Sequence, residues 1–338
     1  MRLLVTGGAG FIGSNLVRHL LGESQIERLV CLDLLTYAGH MENLAPALGR
    51  SNFSFQRIDL RDRVAVAKLM REESISHVMH LAAESHVDRS ISGPDDFITT
   101  NILGTYYLLE ACRAAWSANF DGKRFLHVST DEVYGSLGAT GHFVESTAYA
   151  PNSPYSASKA SSDFLVRAYH HTYGLPAVIT NCSNNYGPFQ FPEKLIPVTI
   201  QKILSRQSIP IYGDGQNVRD WLYVGDHCEA LWLALREGKS GETYNIGGHN
   251  EWKNIDIARL ICSLVDEFRP DLGGDSQKLI TFVKDRPGHD RRYAIDATKI
   301  KEALGWTPRH TFETGIRETV RWYLDNQEWV RAVTRKSA

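Results

Sequence analysis

Two groups of side chains in this sequence carry chemistry by type and spacing. Tyr155-Ser156-Ala157-Ser158-Lys159 sets a phenol and an ammonium four residues apart, one turn along the same helix face. A lysine so placed favours tyrosinate: at ~4 Å and an effective dielectric of ~20 the attraction is about 4 kcal/mol before screening and desolvation. A third of that amounts to about one pKa unit. Such a phenol can take the proton of a substrate hydroxyl. The second group is Thr130-Asp131-Glu132, at the end of the apolar run Arg124–Thr130. Asp is a poor strand former, so strand stability does not account for the two carboxylates, although a solvated turn with an Asx cap would. If their surroundings push their pKa values apart, they supply one acid and one base.

The segments around these groups must place them. Leu3-Leu4-Val5-Thr6 followed by Gly7-Gly8-Ala9-Gly10-Phe11-Ile12-Gly13 reads as strand, glycine turn and helix. Glycines at 7, 10 and 13 suit a tight turn, close approach of a pyrophosphate and helix-on-sheet packing, and the helix N-terminus offers N–H groups to phosphate. Asp33 ends the next strand twenty residues after Gly13. A carboxylate there accepts hydrogen bonds from ribose and repels a 2′-phosphate, which favours NAD over NADP. A bound nicotinamide would receive hydride from the carbon whose hydroxyl Tyr155 deprotonates. Asp59-Leu60 would meet the adenine edge, unless Asp59 caps a helix, and Leu81–Ser85 would line the cofactor cleft.

Strands are expected at Arg2–Thr6, Arg28–Asp33, Phe53–Asp59, His77–Ala82, Arg124–Thr130 and Ala177–Asn181. Helices are expected between them at Phe11–Leu21, Val64–Met70, Asn101–Trp116 and Ser156–Tyr173. This alternation predicts an α/β fold, a Rossmann-type doubly wound parallel sheet. Later helices are expected at Glu193–Ser205, Asp226–Glu237, Asn254–Phe268 and Phe312–Asp325, among Gly- and Pro-rich loops. The chain thus divides into a cofactor domain, 1–185 with 216–240 returning to it, and a smaller, loop-rich α/β domain, 186–338, for the substrate.

At 338 residues with 43 % hydrophobic and 22 % charged content, the composition is that of a globular enzyme. A net charge of −2 leaves no basic surplus for nucleic acid or a membrane surface. No apolar run reaches the ~18 residues of a membrane span, and no leader-like segment opens the chain. Five scattered cysteines without a CxxC pair read as reduced thiols rather than a disulfide frame or metal site, and the expected setting is the cytoplasm.

Ala82-Ala83-Glu84-Ser85-His86-Val87-Asp88-Arg89-Ser90, Ser129–Gly135, Asn152–Ser161, Asn181–Pro188, Pro192–Pro197 and Asp285–Asp296 resemble the extended short-chain dehydrogenase/reductases. The Thr130-Asp131-Glu132 triplet is similar to that of the nucleotide-sugar dehydratase branch acting on dTDP-glucose. The resemblance implies a tightly bound NAD that is regenerated in each turnover. Tyr155 and Lys159, with Thr130 near O4, would oxidise C4. Glu132 would then remove the C5 proton while Asp131 protonates the departing O6 hydroxyl, and hydride would return to C6. The 4-keto-6-deoxy product feeds rhamnose and other deoxysugars.

The same resemblance adds Leu34, Leu35, Thr36, Thr100 and Asn185 to the cofactor residues. On the substrate side it implies Ser85, Asn184, Lys194 and Leu195, and Pro210-Ile211-Tyr212 beside thymine and deoxyribose. Arg219 and Arg286 would clamp the diphosphate, with Asp285, Asn254 and His289 nearby. The Asn184-Asn185 amides would serve equally as turn caps. Asn101–Trp116 and Ser156–Tyr173 would pair with their copies in the four-helix interface of a homodimer. Three alternatives stay open: a UDP-hexose 4-epimerase, a dehydratase of a CDP-, GDP- or UDP-sugar, and an NAD-binding protein without catalysis.

Overall fold

The structure, a computed structural model, describes residues 1–117, 119–285 and 289–335. Seven parallel strands form the central sheet: β1 (Arg2–Thr6), β2 (Arg28–Asp33), β3 (Phe53–Arg57), β4 (His77–His80), β5 (Arg124–Thr130), β6 (Ala177–Cys182) and β10 (Thr243–Ile246). Their spatial order is β10-β6-β5-β4-β1-β2-β3. The chain runs outward from β1 to β3, then crosses back to β4 and builds the other way. Between β1 and β4 the order reverses, and ligands of open α/β sheets bind outside the carboxyl ends of strands at such a point.

Period-2 alternation shares β1 between two cores. Leu3 and Val5 face the layer of α1 (Phe11–Leu20) and α8 (Val224–Glu237), with Leu16, Val17, Leu231 and Leu235. Leu4 faces the layer of α2 (Arg63–Glu72), α5 (Thr105–Trp116) and α6 (Pro154–Tyr173), with Leu69, Leu108 and Val166. Covered on both faces, the strands can be nearly all apolar.

Several boundaries differ from expectation. β3 stops at Arg57 and β4 at His80, so Asp59 and Leu81–Ser85 lie in loops. The cap of α2 is Asp62, whose side chain accepts from the Val64 and Ala65 N–H groups, and Asp59 is free for the cleft wall. After α3 (Val87–Ser92), the helix expected from Asn101 opens earlier, with α4 (Asp95–Phe97), and passes through a π-helical stretch, Ile98–Gly104, into α5. α6 starts on Pro154 behind a reciprocal Ser153–Ser156 capping box.

The remaining elements other than α10 (Thr298–Leu304) form a third core: β7 (Asn184–Tyr186), α7 (Leu195–Leu204), β8 (Ile209–Tyr212), β9 (Val218–Tyr223), β11 (Glu251–Lys253), α9 (Asn254–Phe268), β12 (Ile280–Val283), α11 (Phe312–Asp325) and α12 (Gln327–Arg335). Ile196, Ile200, Ile211, Ile261, Phe312 and Ile316 pack there. β9 pairs with β7 and β11 in a separate three-stranded sheet, so the chain returns to the main sheet through α8 and β10. α10 lies against the first core through Ile300 and Leu304. Among the described residues no helix is long and apolar enough to cross a membrane, and no cluster of His, Cys, Asp and Glu could hold a metal.

Candidate active site

A cleft of about 1080 Å³ opens over the carboxyl ends of β1, β4 and β5 and reaches across to α7, β8 and the start of α9. Its glycine loop is shaped by close contacts. Gly7 has φ +70°, and a Cβ there would lie 2.7 Å from the Ala82 backbone. A Cβ on Gly13 would enter the Gly7–Gly8 backbone. Gly10 is different: a Cβ would meet only Gly7 O, at 3.4 Å, and would otherwise point into open space. Gly10 is also the N-cap of α1 and has no side-chain hydrogen bond, so the first turn faces the cleft uncapped.

Asp33 sits beside this loop, 8 % exposed. Its Oδ2 accepts from Ala9 N at 2.9 Å and its Oδ1 from Leu35 N at 2.8 Å. Burial pushes this carboxyl above its ordinary value, opposed by the Leu35, Ala9 and Leu34 amides. Asp59 accepts from Arg61 N at 2.8 Å and pairs with the Arg61 guanidinium at 2.8 Å. Burial would raise its pKa, but the bonds from Arg61 outweigh it and hold the carboxylate low. Phe11, Ile12, Leu34, Thr36, Leu60, Leu81, Ala82, Ala83, Ser85 and Thr100 complete this arm of the wall.

Leu35 does not line the cleft. With φ +60° its side chain turns into the first core, and only its N–H serves the site, through Asp33. Tyr37, Arg89 and Glu193, which motif reasoning passed over, do line it. The Arg89 guanidinium lies 3.7 Å from the Tyr37 ring centroid, and His86 stands 3.6 Å from Glu193. These pairs join the β2, β4 and β7 loops, and no local pattern in the sequence announces them.

At the centre, Thr130, Asp131, Glu132, Tyr155 and Lys159 share the wall. β5 ends at Thr130, whose hydroxyl caps the 3₁₀ turn Asp131–Tyr134 by accepting from Glu132 N at 3.3 Å. Asp131 is 2 % exposed, and its Oδ1 accepts from Thr130 Oγ1 at 3.4 Å. Its Oδ2 has no partner among the described residues. Burial, then Glu132 and Asp220, hold the Asp131 carboxyl well above the carboxylate range. Burial thus favours the acid form of Asp131, beside the half-buried Glu132.

The tyrosine corrects the expectation of a phenol tuned downward by its lysine. Burial, then Glu132 and Cys182, raise Tyr155 well above its ordinary value, and the opposing influence is a hydrogen bond with Thr130. Lys159 is 4 % exposed and donates to Val128 O at 2.9 Å. Burial lowers its pKa, opposed first by Asp163.

The far side of the cleft is lined by Asn184, Asn185, Lys194, Leu195, Pro210, Ile211, Tyr212, Arg219, Asn254 and His289. Asn184 Oδ1 is buried with no partner among the described residues, whereas the Asn185 amide is engaged, with Oδ1 2.8 Å from His227 Nδ1 and Nδ2 donating to Ser183 O at 3.0 Å. Arg219 is 5 % exposed, its Nη1 and Nη2 donating to Val218 O at 2.7 Å and Asp290 O at 2.8 Å, with the guanidinium 4.3 Å from the Tyr293 ring centroid. Asp285 is not part of the lining, and its Oδ1 lies 2.6 Å from His289 Nδ1. Arg286 lies outside the described residues.

Glycine loop, parallel sheet and the Tyr155–Lys159 helix together define an extended short-chain dehydrogenase/reductase. The model of the GDP-mannose 4,6 dehydratase family matches residues 4–319, and the chain belongs to that family. It is 57 % identical to the dTDP-glucose 4,6-dehydratase of Shigella flexneri, over 98 % of this chain and 95 % of that protein. DesIV, a dTDP-glucose 4,6-dehydratase from Streptomyces venezuelae solved with NAD and TYD bound, superposes with a TM-score of 0.90. It shares 45 % identity over 98 % of this chain and 100 % of its own. The UDP-glucose 4-epimerase of Thermus thermophilus, solved with NAD, is also similar in fold: TM-score 0.85, 32 % identity, 96 % of this chain and 100 % of that one.

Proposed function

We propose that this chain is a dTDP-glucose 4,6-dehydratase, an NAD-dependent hydro-lyase that converts dTDP-glucose to dTDP-4-keto-6-deoxyglucose and water. The observation that carries the reading is the buried carboxyl of Asp131, biased by burial toward its acid form, next to Glu132 at the same wall as Tyr155. A 4-epimerase has no use for an acid–base pair beside its phenol.

The glycine loop and Asp33 fit NAD: Gly10 leaves room where a pyrophosphate would lie, and Asp33 stands at the end of β2 for the ribose. NAD⁺, when bound, supplies the acceptor for the C4 hydride and gives it back at C6. Tyr155 takes the O4 proton, with Thr130 holding that hydroxyl and the Lys159 ammonium stabilising the phenolate. The C4 ketone acidifies C5–H, which Glu132 removes. Asp131 gives its proton to O6, so that water leaves and a C5–C6 double bond forms. Glu132 then returns a proton to C5 as hydride arrives at C6. Arg219 binds the diphosphate, pre-set by the carbonyls it already meets. Lys194, Leu195, Tyr212, Asn254 and His289 hold the nucleotide, and Asn184 holds the sugar.

In this reading residues 1–185, with the returning segment, carry the cofactor and 186–338 mainly the sugar nucleotide. The chain works as a homodimer. Ile98, Leu103, Phe164 and Tyr173 are 41–57 % exposed on the paired helices, and a second copy would cover them. Five buried free cysteines suit a reducing cytoplasm.

The test is incubation with dTDP-, UDP-, CDP- and GDP-hexoses, following the alkaline absorbance of a 4-keto sugar. The dTDP sugar should give it, and a gain of epimer without loss of water would select the 4-epimerase instead. Glu132→Gln should abolish solvent exchange at C5, while Asp131→Asn should slow water loss and spare exchange. Full activity in both variants would overturn the assignment.

A further inference from the structure

Beneath the floor of the cleft lies a buried polar cluster that the chemistry above does not use. Its centre is Asp163, one turn after Lys159 on α6 and fully buried. Asp163 Oδ2 accepts from Ser129 Oγ at 2.9 Å and from Tyr149 OH at 3.0 Å. Its Oδ1 lies 3.1 Å from Nε2 of His127 on β5, although the ring is not aligned for a hydrogen bond. Behind His127 stands His80 of β4, with ring centroids 5.3 Å apart. The His80 nitrogens meet the hydroxyls of Thr6 at 2.7 Å and Thr105 at 2.9 Å. Burial keeps both imidazoles well below their ordinary value, and therefore uncharged.

The phenols and the thiol around the cluster are neutral as well. Tyr149 accepts from Asn181 Nδ2 at 3.2 Å and packs edge-on against Tyr134 at 5.3 Å. Burial pushes both phenols up, Glu145 adding to it at Tyr134. The Cys182 thiol of β6 is pushed up to about 12, chiefly by burial. Lys159 and Asp163 lie one turn apart on α6 and meet adjacent residues of β5, Lys159 at Val128 O and Asp163 at Ser129 Oγ, and at neutral pH the Cys182 thiol carries no charge. The Lys159 ammonium thus has one carboxylate to compensate its burial.

We propose that Asp163 is a positioning residue, whose carboxylate, one turn along α6, keeps the buried Lys159 ammonium charged where it meets Val128 O. Ser129 and Tyr149 hold that carboxylate in place, and His127 closes it off from behind as a neutral ring. The proposal deepens the reading of Lys159 as the partner of Tyr155 and rests on it. Two perturbations agree with the arrangement. Burial draws Lys159 below the lysine range, with Asp163 foremost in opposing it. Burial also raises Asp163 to about 7, with Lys159 foremost in opposing that.

The direct test is a pH titration of the lysine side chains by ¹³Cε NMR, the Lys159 signal being identified by its loss in Lys159→Arg. In the wild-type protein this signal should show a secondary step near pH 7, as Asp163 ionises. Asp163→Asn is nearly isosteric and still accepts from Ser129 and Tyr149. It should remove the step and move the Lys159 titration about one pH unit down. With dTDP-glucose, the alkaline limb of kcat should move down by the same amount and KM should hold. Identical Lys159 titrations in wild type and variant would overturn the proposal. So would a wild-type titration without the step near pH 7, which needs no variant to fold. Absence of turnover with dTDP-glucose at every pH would count against the functional reading alone, because the NMR titration reads the lysine without substrate.

Discussion

Asn101 Nδ2 donates to Ser158 Oγ at 2.8 Å, tying the π-helical stretch before α5 to the helix that carries Tyr155 and Lys159. The same side chain holds both backbone groups of Glu84, donating to its O at 2.9 Å and accepting from its N at 2.8 Å. Ser162 Oγ donates to Asn101 O at 2.7 Å, so one 1 %-exposed residue joins the loop after β4, the long helix and α6. The π-turn is thereby pinned against the helix and loop that line the cleft.

Asn101→Ala should leave the Glu84 N–H and the Ser158 hydroxyl without this partner. Each buried group so orphaned costs about 1–3 kcal/mol. A melting temperature lower by several degrees, together with a kcat loss of roughly tenfold or more, is expected from calorimetry and turnover. An unchanged kcat would mean that Tyr155 is placed without this tie.

Gly10 and Gly13 should respond differently to the same methyl group. Gly13→Ala drives Cβ into the Gly7–Gly8 backbone and should lower stability sharply, read as a lower melting point of the NAD-free protein. Gly10→Ala meets only Gly7 O at 3.4 Å, so the NAD-free melting point should hold. Its NAD affinity should fall by roughly tenfold or more, because the methyl occupies the space left for pyrophosphate.

Asp33→Ala should weaken NAD binding by about two orders of magnitude in a fluorescence or calorimetric titration. It removes the ribose acceptor and also frees the Ala9 and Leu35 N–H groups that hold the loop. Discrimination against NADP should fall at the same time, since the repelling charge is gone.

Asp163 should also mark the pH dependence of stability. Its folded value of about 7 lies above the ordinary 3.8, so the folded chain keeps this proton longer than the unfolded one. The stabilising contribution is full below about pH 4 and is lost as pH rises through 7, with a ceiling on the order of 4 kcal/mol. Asp163→Asn removes that titration. The wild-type protein should therefore gain on the variant in melting temperature at pH 5 relative to pH 8. A gap independent of pH would mean that the carboxyl is not perturbed.

The parallel sheet, the glycine loop and the end of β5 at Thr130 were legible because each is local. β1 announces itself by an apolar run, the loop by glycines that must be glycine, and α6 by its periodicity. Sequence reading faltered where distant segments decide. β8 and β12 are four-residue strands that pair only with each other, and they carry too little pattern to stand out from loops. The π-turn at Ile98–Gly104 keeps helical periodicity and so is hidden within it. Tyr37 and Glu193 reach the wall from loops and Arg89 from α3, and their grouping exists only after folding. The downward-tuned phenol was expected from a lysine one turn away, but spacing cannot tell that Nζ would turn to Val128 O while burial dominates the tyrosine.

The seventh strand has a consequence for how the chain must be made. β10 pairs with β6 and borders the sheet, yet it begins only at Thr243, and α8, which covers the helix after the glycine loop, ends at Glu237. A ribosome must therefore translate as far as Glu237 before residues 1–13 gain their full cover. Until then the edge of β6 offers unpaired backbone to any neighbouring chain, a period in which a chaperone has most to protect.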